Sequence, residues 1–258
     1  MSQLRRALNS GISLENIERA AHFIDPVFLN TPQFQSDSLS NALGMELVLK
    51  VETINPIRSF KGRGADFLVS CLPASSARLV CASAGNFGQG LAYAARKRGF
   101  EVVVFAAESA NALKITRMRE LGAEVRLLGS DFDEAKHNAR VFAEQTHGLF
   151  IQDGREPEVA EGAGTIAVEI CRWQTPFDVV LVPLGDGALL GGIGRWMKTY
   201  SPATRVIGVC AAGAPAMAIS LQRGEVHATE STSTIADGIA VRVPIPESLF
   251  NLKGMVDE

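Results

Sequence analysis

The chain has 258 residues, 47% of them hydrophobic, which is enough to bury one large core or two smaller ones. Lys and Arg total 25 against 28 Asp and Glu, and the net charge of −3 gives no electrostatic case for binding nucleic acid or an anionic membrane. The four cysteines are spread without a CxxC spacing, so we expect reduced core residues of a cytoplasmic protein and neither disulfides nor a zinc site.

The first part of the chain predicts only short elements. Residues 1–8 include two arginines but no long apolar run, so we predict neither a signal peptide nor a transmembrane helix. We predict a helix over residues 14–23 with Ser13 as its cap, and a loop at residues 30–32. A second helix is predicted over residues 36–43, ending at Gly44.

From residue 46 onwards, predicted strands and helices alternate. Strands are predicted over residues 46–52, 78–82, 101–105, 124–128, 150–151, 177–183 and 205–210. Helices are predicted over residues 62–71, 88–97, 110–121, 132–146, 162–173, 189–200 and 214–223. This alternation indicates an α/β fold built from parallel βαβ units, and the pattern weakens after Gly224.

Two parallel-sheet domains fit this order of elements. We predict a small domain over residues 46–147 and a large domain formed by residues 1–45 and 148–258. In open parallel sheets a ligand lies beyond the carboxyl ends of the strands. Three glycine-containing loops follow predicted strands, so we expect them to meet at one cleft between the domains.

The first of these loops contains a lysine in the sequence S-F-K-G-R-G-A at residues 59–65. Lys61 follows Phe60 and precedes Gly62, and glycine lets a ligand approach the backbone closely. A lysine held away from bulk water can act as an amine nucleophile or a base. The alternative interpretation is an ordinary helix start with Ser59 as its N-cap, although a lysine in the first turn opposes the helix dipole.

The other two loops have the composition of anion-binding turns. Residues 185–189 read G-D-G-A-L between a predicted strand and a predicted helix, where backbone N–H groups and the helix dipole attract an anion. Residues 83–87 read S-A-G-N-F and follow the strand at residues 78–82. Both also fit a structural interpretation, as a glycine-rich turn in the first case and a turn with a left-handed Asn86 in the second.

Read together and in this order, the three motifs resemble those of the fold-type II pyridoxal-phosphate enzymes, and most of all the serine/threonine dehydratase branch. The resemblance runs from about Phe28 to about Val243. It implies two three-layer domains of the tryptophan synthase β-like kind, pyridoxal 5′-phosphate as cofactor and a small amino acid as substrate. It also implies a homodimer or a larger homo-oligomer.

The resemblance assigns roles to the residues of each motif. Lys61, next to Phe60, is expected to bind the cofactor covalently and to act as the catalytic base. The cofactor phosphate is expected at the loop of Gly185, Asp186, Gly187, Ala188 and Leu189. The substrate carboxylate is expected at the loop of Ser83, Ala84, Gly85, Asn86 and Phe87, with Asn86 also contacting the 3′-oxygen of the cofactor.

Four positions depart from the pattern of the family. Asp186 replaces the usual glycine, and its carboxylate should repel a phosphate unless it points away. Phe87 replaces the histidine of many relatives. Ala84 replaces the serine that acts as a second base in the related racemases, which favours elimination over racemisation. Cys210 replaces a glutamate that helps bind a divalent cation, so we predict no metal site there.

The resemblance therefore favours an ammonia-lyase that removes the β-hydroxyl of a serine- or threonine-like amino acid to give a 2-oxo acid and ammonia. One alternative is β-replacement, or another lyase reaction on a different hydroxy-amino acid. The other is a truncated, catalytically silent binding protein, because the family's sequences continue past residue 258. We thus expect the large domain to be incomplete at its C-terminus, without the residue that faces the pyridine nitrogen.

Overall fold

The computed structural model describes residues 11–73 and 78–258. The prediction for residues 1–8 lies outside the described residues. Among the helices of the described part, none is both long and apolar enough to cross a membrane.

Ten α-helices and eight strands make up the described fold. The helices are α1 (Leu14–Phe23), α2 (Asp37–Leu43), α3 (Lys61–Cys71), α4 (Asn86–Arg98), α5 (Ala112–Glu120), α6 (Phe132–Gln145), α7 (Pro157–Ile170), α8 (Ala188–Tyr200), α9 (Ala216–Arg223) and α10 (Pro246–Leu252). The strands are β1 (Gln33–Gln35), β2 (Val48–Lys50), β3 (Leu79–Ala82), β4 (Val102–Ala106), β5 (Glu124–Leu127), β6 (Leu149–Ile151), β7 (Val179–Pro183) and β8 (Arg205–Val209). Short 3-10 turns lie at Pro26–Phe28 and Asp237–Ile239.

A four-stranded parallel sheet forms the first layered unit, in the order β5-β4-β3-β6. Successive residues of a strand point to opposite faces of the sheet. On one face Leu79 and Val104 belong to the same buried core as residues of α4 and α5. On the other face Val80 and Val103 pack with Ala139 of α6. Helices thus cover both faces, which explains why β3 and β4 are apolar at nearly every position.

The second parallel unit is the pair β7–β8, with Val180 opposite Val206 and Val182 opposite Gly208. Val182 and Val206 face the core and are buried. The alternate residues of β7 lie on the other face, where Val179 is 38% and Leu181 61% exposed. One face of this pair is therefore packed and the other is open, although β7 consists entirely of apolar residues.

Helix α7 packs against α8 on one side and against α3 on another. The packing requires glycine where two helix backbones approach most closely. A Cβ on Gly162 of α7 would lie 2.7 Å from the Cα of Gly64 in α3. A Cβ on Gly192 of α8 would lie 2.0 Å from the carbonyl oxygen of Ala160 in α7. Both distances are too short for any side chain, so glycine sets the separation of these helices.

The predicted α/β class with parallel sheets is confirmed, and most helices and strands lie within a few residues of their predicted positions. Helix α1 has its predicted bounds, and the Ser13 side chain caps it by accepting a hydrogen bond from the N–H of Asn16. The four-stranded sheet includes β6, which lies just beyond the predicted domain boundary at residue 147. The division into a small and a large domain stays a prediction.

Several local predictions were wrong. Helix α7 begins at Pro157, five residues before its predicted start, because proline with its fixed backbone angle suits the first turn of a helix. Strand β1 and helix α10 were not predicted. Of the four cysteines expected in the core, only Cys81 is fully buried, whereas Cys71 and Cys171 are exposed and Cys210 is half-buried.

Candidate active site

A cavity of about 720 Å³ lies at the carboxyl ends of β3, β6 and β7. Its walls are residues 52–53, 58–61, 82–87, 114, 131–133, 136, 150–153, 186, 230, 232, 237–243 and 245. Parallel strands that share a sheet present their carboxyl ends at one edge, so the loops that follow β3 and β6 necessarily meet there. The cavity therefore collects segments that are far apart in sequence.

Lys61 is the first residue of α3 and lines this cavity. Its Nζ lies 2.5 Å from Oδ2 of Asp153 and 4.9 Å from the centre of the Phe60 ring. The preceding turn is held by Asn55, whose Oδ1 accepts hydrogen bonds from the N–H groups of Ile57 and Ser59. This turn fixes the point at which α3 starts, and with it the position from which the lysine side chain extends.

A buried ion network lies directly behind Lys61. Arg63 is 0% exposed and donates hydrogen bonds to Glu52 at 2.8 and 2.9 Å and to Glu169 at 2.6 and 3.0 Å. Lys50 completes the network with an Nζ–Oε2 distance of 2.5 Å to Glu169. Burial alone would raise the pKa of Glu169, but its hydrogen bonds and ion pairs with Arg63 and Lys50 hold that pKa below its usual value. The network ties α3 to α7 and to the end of β2.

The loop of residues 83–87 connects β3 to α4 and forms part of the cavity wall. Oγ of Ser83 accepts hydrogen bonds from the N–H groups of Gly85 and Gly88, at 3.1 and 2.9 Å. Asn86 is the first residue of α4, so the left-handed turn considered as an alternative for it is absent. Phe87 is buried in the core and is 4% exposed. The loop is thus a tight strand-to-helix turn, braced by its own serine.

Asp186 occupies the loop between β7 and α8 and also lines the cavity. Helix α8 begins after Gly187, which is the N-cap residue with a φ of 91°, so Asp186 is not the cap of this helix. Burial, and after it the negative charge of Asp153, raises the pKa of Asp186 to about 6. Most of the Asp186 carboxyl group is therefore still ionised at pH 7, and the repulsion expected between Asp186 and a phosphate weakens only as the pH falls towards 6.

The structure brings many of the predicted site residues to one cavity. Among its lining residues are Phe60, Lys61, Ser83, Ala84, Gly85, Asn86, Phe87 and Asp186. The rest of the predicted phosphate loop, Gly185, Gly187, Ala188 and Leu189, is not among the lining residues. Part of that loop is covered by residues of this chain: Cβ positions on Gly185 and Gly187 would lie 3.2 Å from the Gly238 oxygen and 3.1 Å from Leu252. The roles expected for these residues stay predictions.

No signal in the sequence marks the charged residues that close the cavity. Lys114 forms an ion pair with Asp237, and its Cδ would lie 2.8 Å from a Cβ on Gly85. Arg242 forms an ion pair with Asp133 at the start of α6. These pairs join residues more than 100 positions apart, so neither periodicity nor spacing indicates them. Asp153 was missed for the same reason.

The residues present fit the cofactor that the resemblance implies. Pyridoxal phosphate needs an amine that can reach its aldehyde, and Lys61 provides one on the wall of a cavity large enough for a small ligand. It also needs an anion site, and the first N–H groups of α8 have no partners within the helix. Lys61 would hold the cofactor, and Asp186 is the residue of the loop before α8 that lines the same cavity.

Comparison with known proteins gives consistent matches. The family model described as pyridoxal-phosphate dependent enzyme matches residues 24–258. A Thermotoga maritima protein named L-threonine ammonia-lyase is 38% identical over 96% of this chain and 62% of its own length. The solved structure of the processed form of threonine deaminase isoform 2 from Solanum lycopersicum is 30% identical, with a TM-score of 0.86 over 96% of this chain and 70% of that one. Maize serine racemase, at 24% identity, 96% of this chain, 76% of that chain and a TM-score of 0.90, shares the fold.

The chain spans less than two thirds of the length of the curated relatives it matches. The match to the family model nevertheless covers most of the chain, including all three loops at the cavity. The solved structures confirm the predicted fold class of the tryptophan synthase β-like kind. The chain belongs to the family of pyridoxal-phosphate dependent enzymes.

Proposed function

We propose that this chain is a pyridoxal-phosphate-dependent ammonia-lyase that removes the β-hydroxyl of L-threonine or L-serine, giving a 2-oxo acid and ammonia. The observation that carries the proposal is the position of Lys61, which lines the same cavity as the loop of residues 83–87. The name of the Thermotoga relative, L-threonine ammonia-lyase, supports the choice of substrate.

Each wall of the cavity has a part in the proposed reaction. Pyridoxal phosphate supplies an electron sink for the carbon that bears the amino group. The N–H groups of Ala84, Asn86 and Phe87 bind the substrate carboxylate, which fixes the orientation of the amino acid, because those of Ser83 and Gly85 already donate to Phe105 and to Oγ of Ser83. The neutral amine of Lys61 takes the proton from the α-carbon and holds it at Nζ. Ala84 offers no second base, so the reaction runs to elimination without racemisation.

The experiment is an assay of the purified chain with saturating pyridoxal phosphate. We expect 2-oxobutanoate from L-threonine, pyruvate from L-serine and an equal amount of ammonia, with no measurable product from Lys61→Ala. Chiral chromatography of the L-serine reaction should detect little D-serine. A folded parent chain that binds the cofactor but forms no 2-oxo acid would contradict the proposal, and so would D-serine in excess over pyruvate.

We further propose that the enzyme is a homo-oligomer, a dimer or larger, and that it acts in the cytoplasm. The oligomer follows from the resemblance stated above, and the location follows from cysteines expected to be reduced. Light scattering after size-exclusion chromatography measures the mass directly. A monomeric mass of 27.6 kDa in the cofactor-loaded protein would contradict the oligomer.

A further inference from the structure

Lys61 forms an ion pair with Asp153, a residue to which the motifs assign no role. Nζ of Lys61 and Oδ2 of Asp153 are 2.5 Å apart, and the two side chains are only 13% and 15% exposed. Charges that are withdrawn from water attract each other more strongly than charges on an exposed surface. The nitrogen expected to carry the cofactor therefore has a close anionic neighbour on the wall of the cavity.

The fold holds Asp153 in this position from both sides. Asp153 lies two residues after β6, whose parallel pairing with β3 brings its carboxyl end to the cavity. The next residue, Gly154, has a φ of 83°, and its carbonyl oxygen accepts a hydrogen bond from Oγ of buried Ser248 at 2.9 Å. A Cβ on Gly154 would lie 2.7 Å from the carbonyl oxygen of Asp186, so the turn packs directly against the loop before α8. Asp153 is thus a fixed group.

The second oxygen of Asp153 makes this carboxylate depend on its ion pair with Lys61. Within the described part of the chain, Oδ1 of Asp153 is buried and has no hydrogen-bond partner. A carboxylate that is buried with one oxygen unpaired depends on its remaining partner, because an uncompensated buried charge is costly. The ammonium group of Lys61 is that partner.

We propose that Asp153 is the counter-ion of Nζ of Lys61 whenever that nitrogen is protonated, both in the free side chain and when Lys61 carries pyridoxal phosphate. The inference rests on the role proposed for Lys61 and not on the identity of the substrate. When Lys61 takes the proton from the α-carbon of a substrate, Nζ becomes positively charged, and Asp153 lies close enough to stabilise that charge by a charge-assisted hydrogen bond.

Other charged groups surround this pair and act on the same proton. Asp186 faces Asp153 from the loop before α8, and Lys136 and Asp133 lie on the cavity wall from α6. The buried thiol of Cys81 in β3 also lies near Asp153. Burial, and after it the charge of Asp153, raises the pKa of that thiol far above neutral, so the thiol stays uncharged in the titration. Of these groups, Asp186 is the one expected to titrate near pH 6. It therefore needs its own variant in the test.

The test is a pH titration of the visible absorbance of the chain loaded with pyridoxal phosphate, in the absence of substrate. Asp153→Asn keeps the shape of the side chain and removes its charge. We expect the midpoint of the absorbance change to fall by about one pH unit or more, because an opposite charge within about 4–6 Å favours the charged form by about 1–3 units. Asp153→Glu restores the charge and should return the midpoint toward that of the parent.

Asp186→Asn is the matched control, since it removes a second carboxylate from the same wall. Its midpoint should shift by less than that of Asp153→Asn. An unchanged midpoint in Asp153→Asn, or an equal shift in both variants, would overturn the proposal. If Asp153→Asn does not fold, Asp153→Ala and Asp153→Glu give the same comparison. Because the titration involves no turnover, a parent chain that titrates as expected but forms no 2-oxo acid would contradict only the proposed function.

Discussion

Loops from both parallel units of this protein line the same cavity, but the two sheets differ in how many of their faces are buried. In the four-stranded sheet, β3 and β4 are covered by helices on both faces, and Leu79 is 0% exposed. In the pair β7–β8 one face is open, and Leu181 is 61% exposed. Both β3 and β7 read as continuous apolar runs. The comparison teaches that such a run predicts a parallel strand without indicating how many of its faces are covered.

The loops at the ends of these strands differ in the same way. The loop after β3 is braced by Ser83, whose hydroxyl oxygen accepts two backbone hydrogen bonds. The loop after β7 instead places the carboxyl group of Asp186 near Asp153, and burial, followed by the charge of Asp153, raises the pKa of Asp186. The backbone N–H groups on one side of the cavity are therefore bonded within their own loop, whereas the other side holds Asp153, which pairs with Lys61, and Asp186, whose pKa is raised.

The largest effect should come from the buried ion network that ties α3 to α7 and to the end of β2. We expect Arg63→Met to lower the free energy of unfolding by about 3–5 kcal/mol, because Glu52 and Glu169 then lose their shared cation inside the protein. Urea denaturation followed by circular dichroism measures this loss. Arg58→Met, at an exposed arginine with no ion pair in the described part of the chain, should change stability by about 0.5 kcal/mol or less. Equal losses in the two variants would contradict the account.

The same network should make the fold sensitive to acid. The pKa of Glu169 is lowered in the folded chain, so the stability that this carboxylate contributes is present above its ordinary value of 4.5. It is lost as the pH falls through the lowered pKa. The free energy of unfolding, measured from pH 7 to pH 3, should therefore fall more steeply in the parent than in Glu169→Gln, which lacks the titrating group. Parallel curves for the two proteins would argue against this role of Glu169.

Leucine-to-alanine substitutions in β3 and β7 should have an intermediate effect on stability, and one that differs between the two sheets. Leu79→Ala in β3 should cost about 2–5 kcal/mol, because it removes a fully buried side chain and leaves a cavity. The matched substitution Leu181→Ala in β7 should cost no more than about 1 kcal/mol, since that side chain is mostly exposed. Chemical denaturation of both variants gives the two values. A cost for Leu181→Ala as large as that for Leu79→Ala would show that the open face of β7 is covered in solution.

A smaller effect is expected at Asp186. Its pKa is raised to about 6 in the folded chain, against 3.8 ordinarily, so ionising this carboxyl group destabilises the fold as the pH rises from about 4 to above 6. Asp186→Asn should then be more stable than the parent by about 1–3 kcal/mol at about pH 7.5 and nearly equal to it at about pH 4. Thermal unfolding at the two pH values is the measurement. Lower stability of the variant at the higher pH would mean that the charge supports the fold.

The Asp186→Asn variant should also bind pyridoxal phosphate several-fold more tightly at about pH 7.5, because it removes a negative charge near the expected phosphate site. Cofactor titration by fluorescence measures the dissociation constant. Weaker binding by the variant would show that the carboxyl group contributes to the site, and the repulsion argument would then be wrong.

The alternation of strands and helices could be predicted from the sequence because most elements are long enough to show their periodicity. Elements without such a signal were missed. Strand β1 has only three residues, too few to show an alternating pattern, and it is a strand because it pairs with β2, which lies beyond helix α2 in the sequence. Helix α10 follows a segment without apolar periodicity, and proline at its first position is the one local cue. The start of α7 carried a similar proline cue at Pro157, which the glycine pattern at residues 162–164 obscured.

The candidate site was predictable only where its residues lie in local motifs. Lys61 and the loop of residues 83–87 stand out because glycine, serine and asparagine cluster at the ends of apolar runs. Asp153 has no such context, since it becomes the partner of Lys61 only when β6 pairs beside β3. Arg63 lies within the lysine motif, but its burial depends on Glu169, which is 106 residues away. Contacts of this range are determined by the tertiary fold.

The central claim is that Lys61 is the residue that carries the cofactor. Borohydride reduction of the chain saturated with pyridoxal phosphate fixes the bond between a lysine and the cofactor, and peptide mapping by mass spectrometry then locates it. We predict one label, on the peptide that contains Lys61, and its loss in Lys61→Ala. A label on another lysine in the parent chain, or no label in cofactor-saturated protein, would contradict the account.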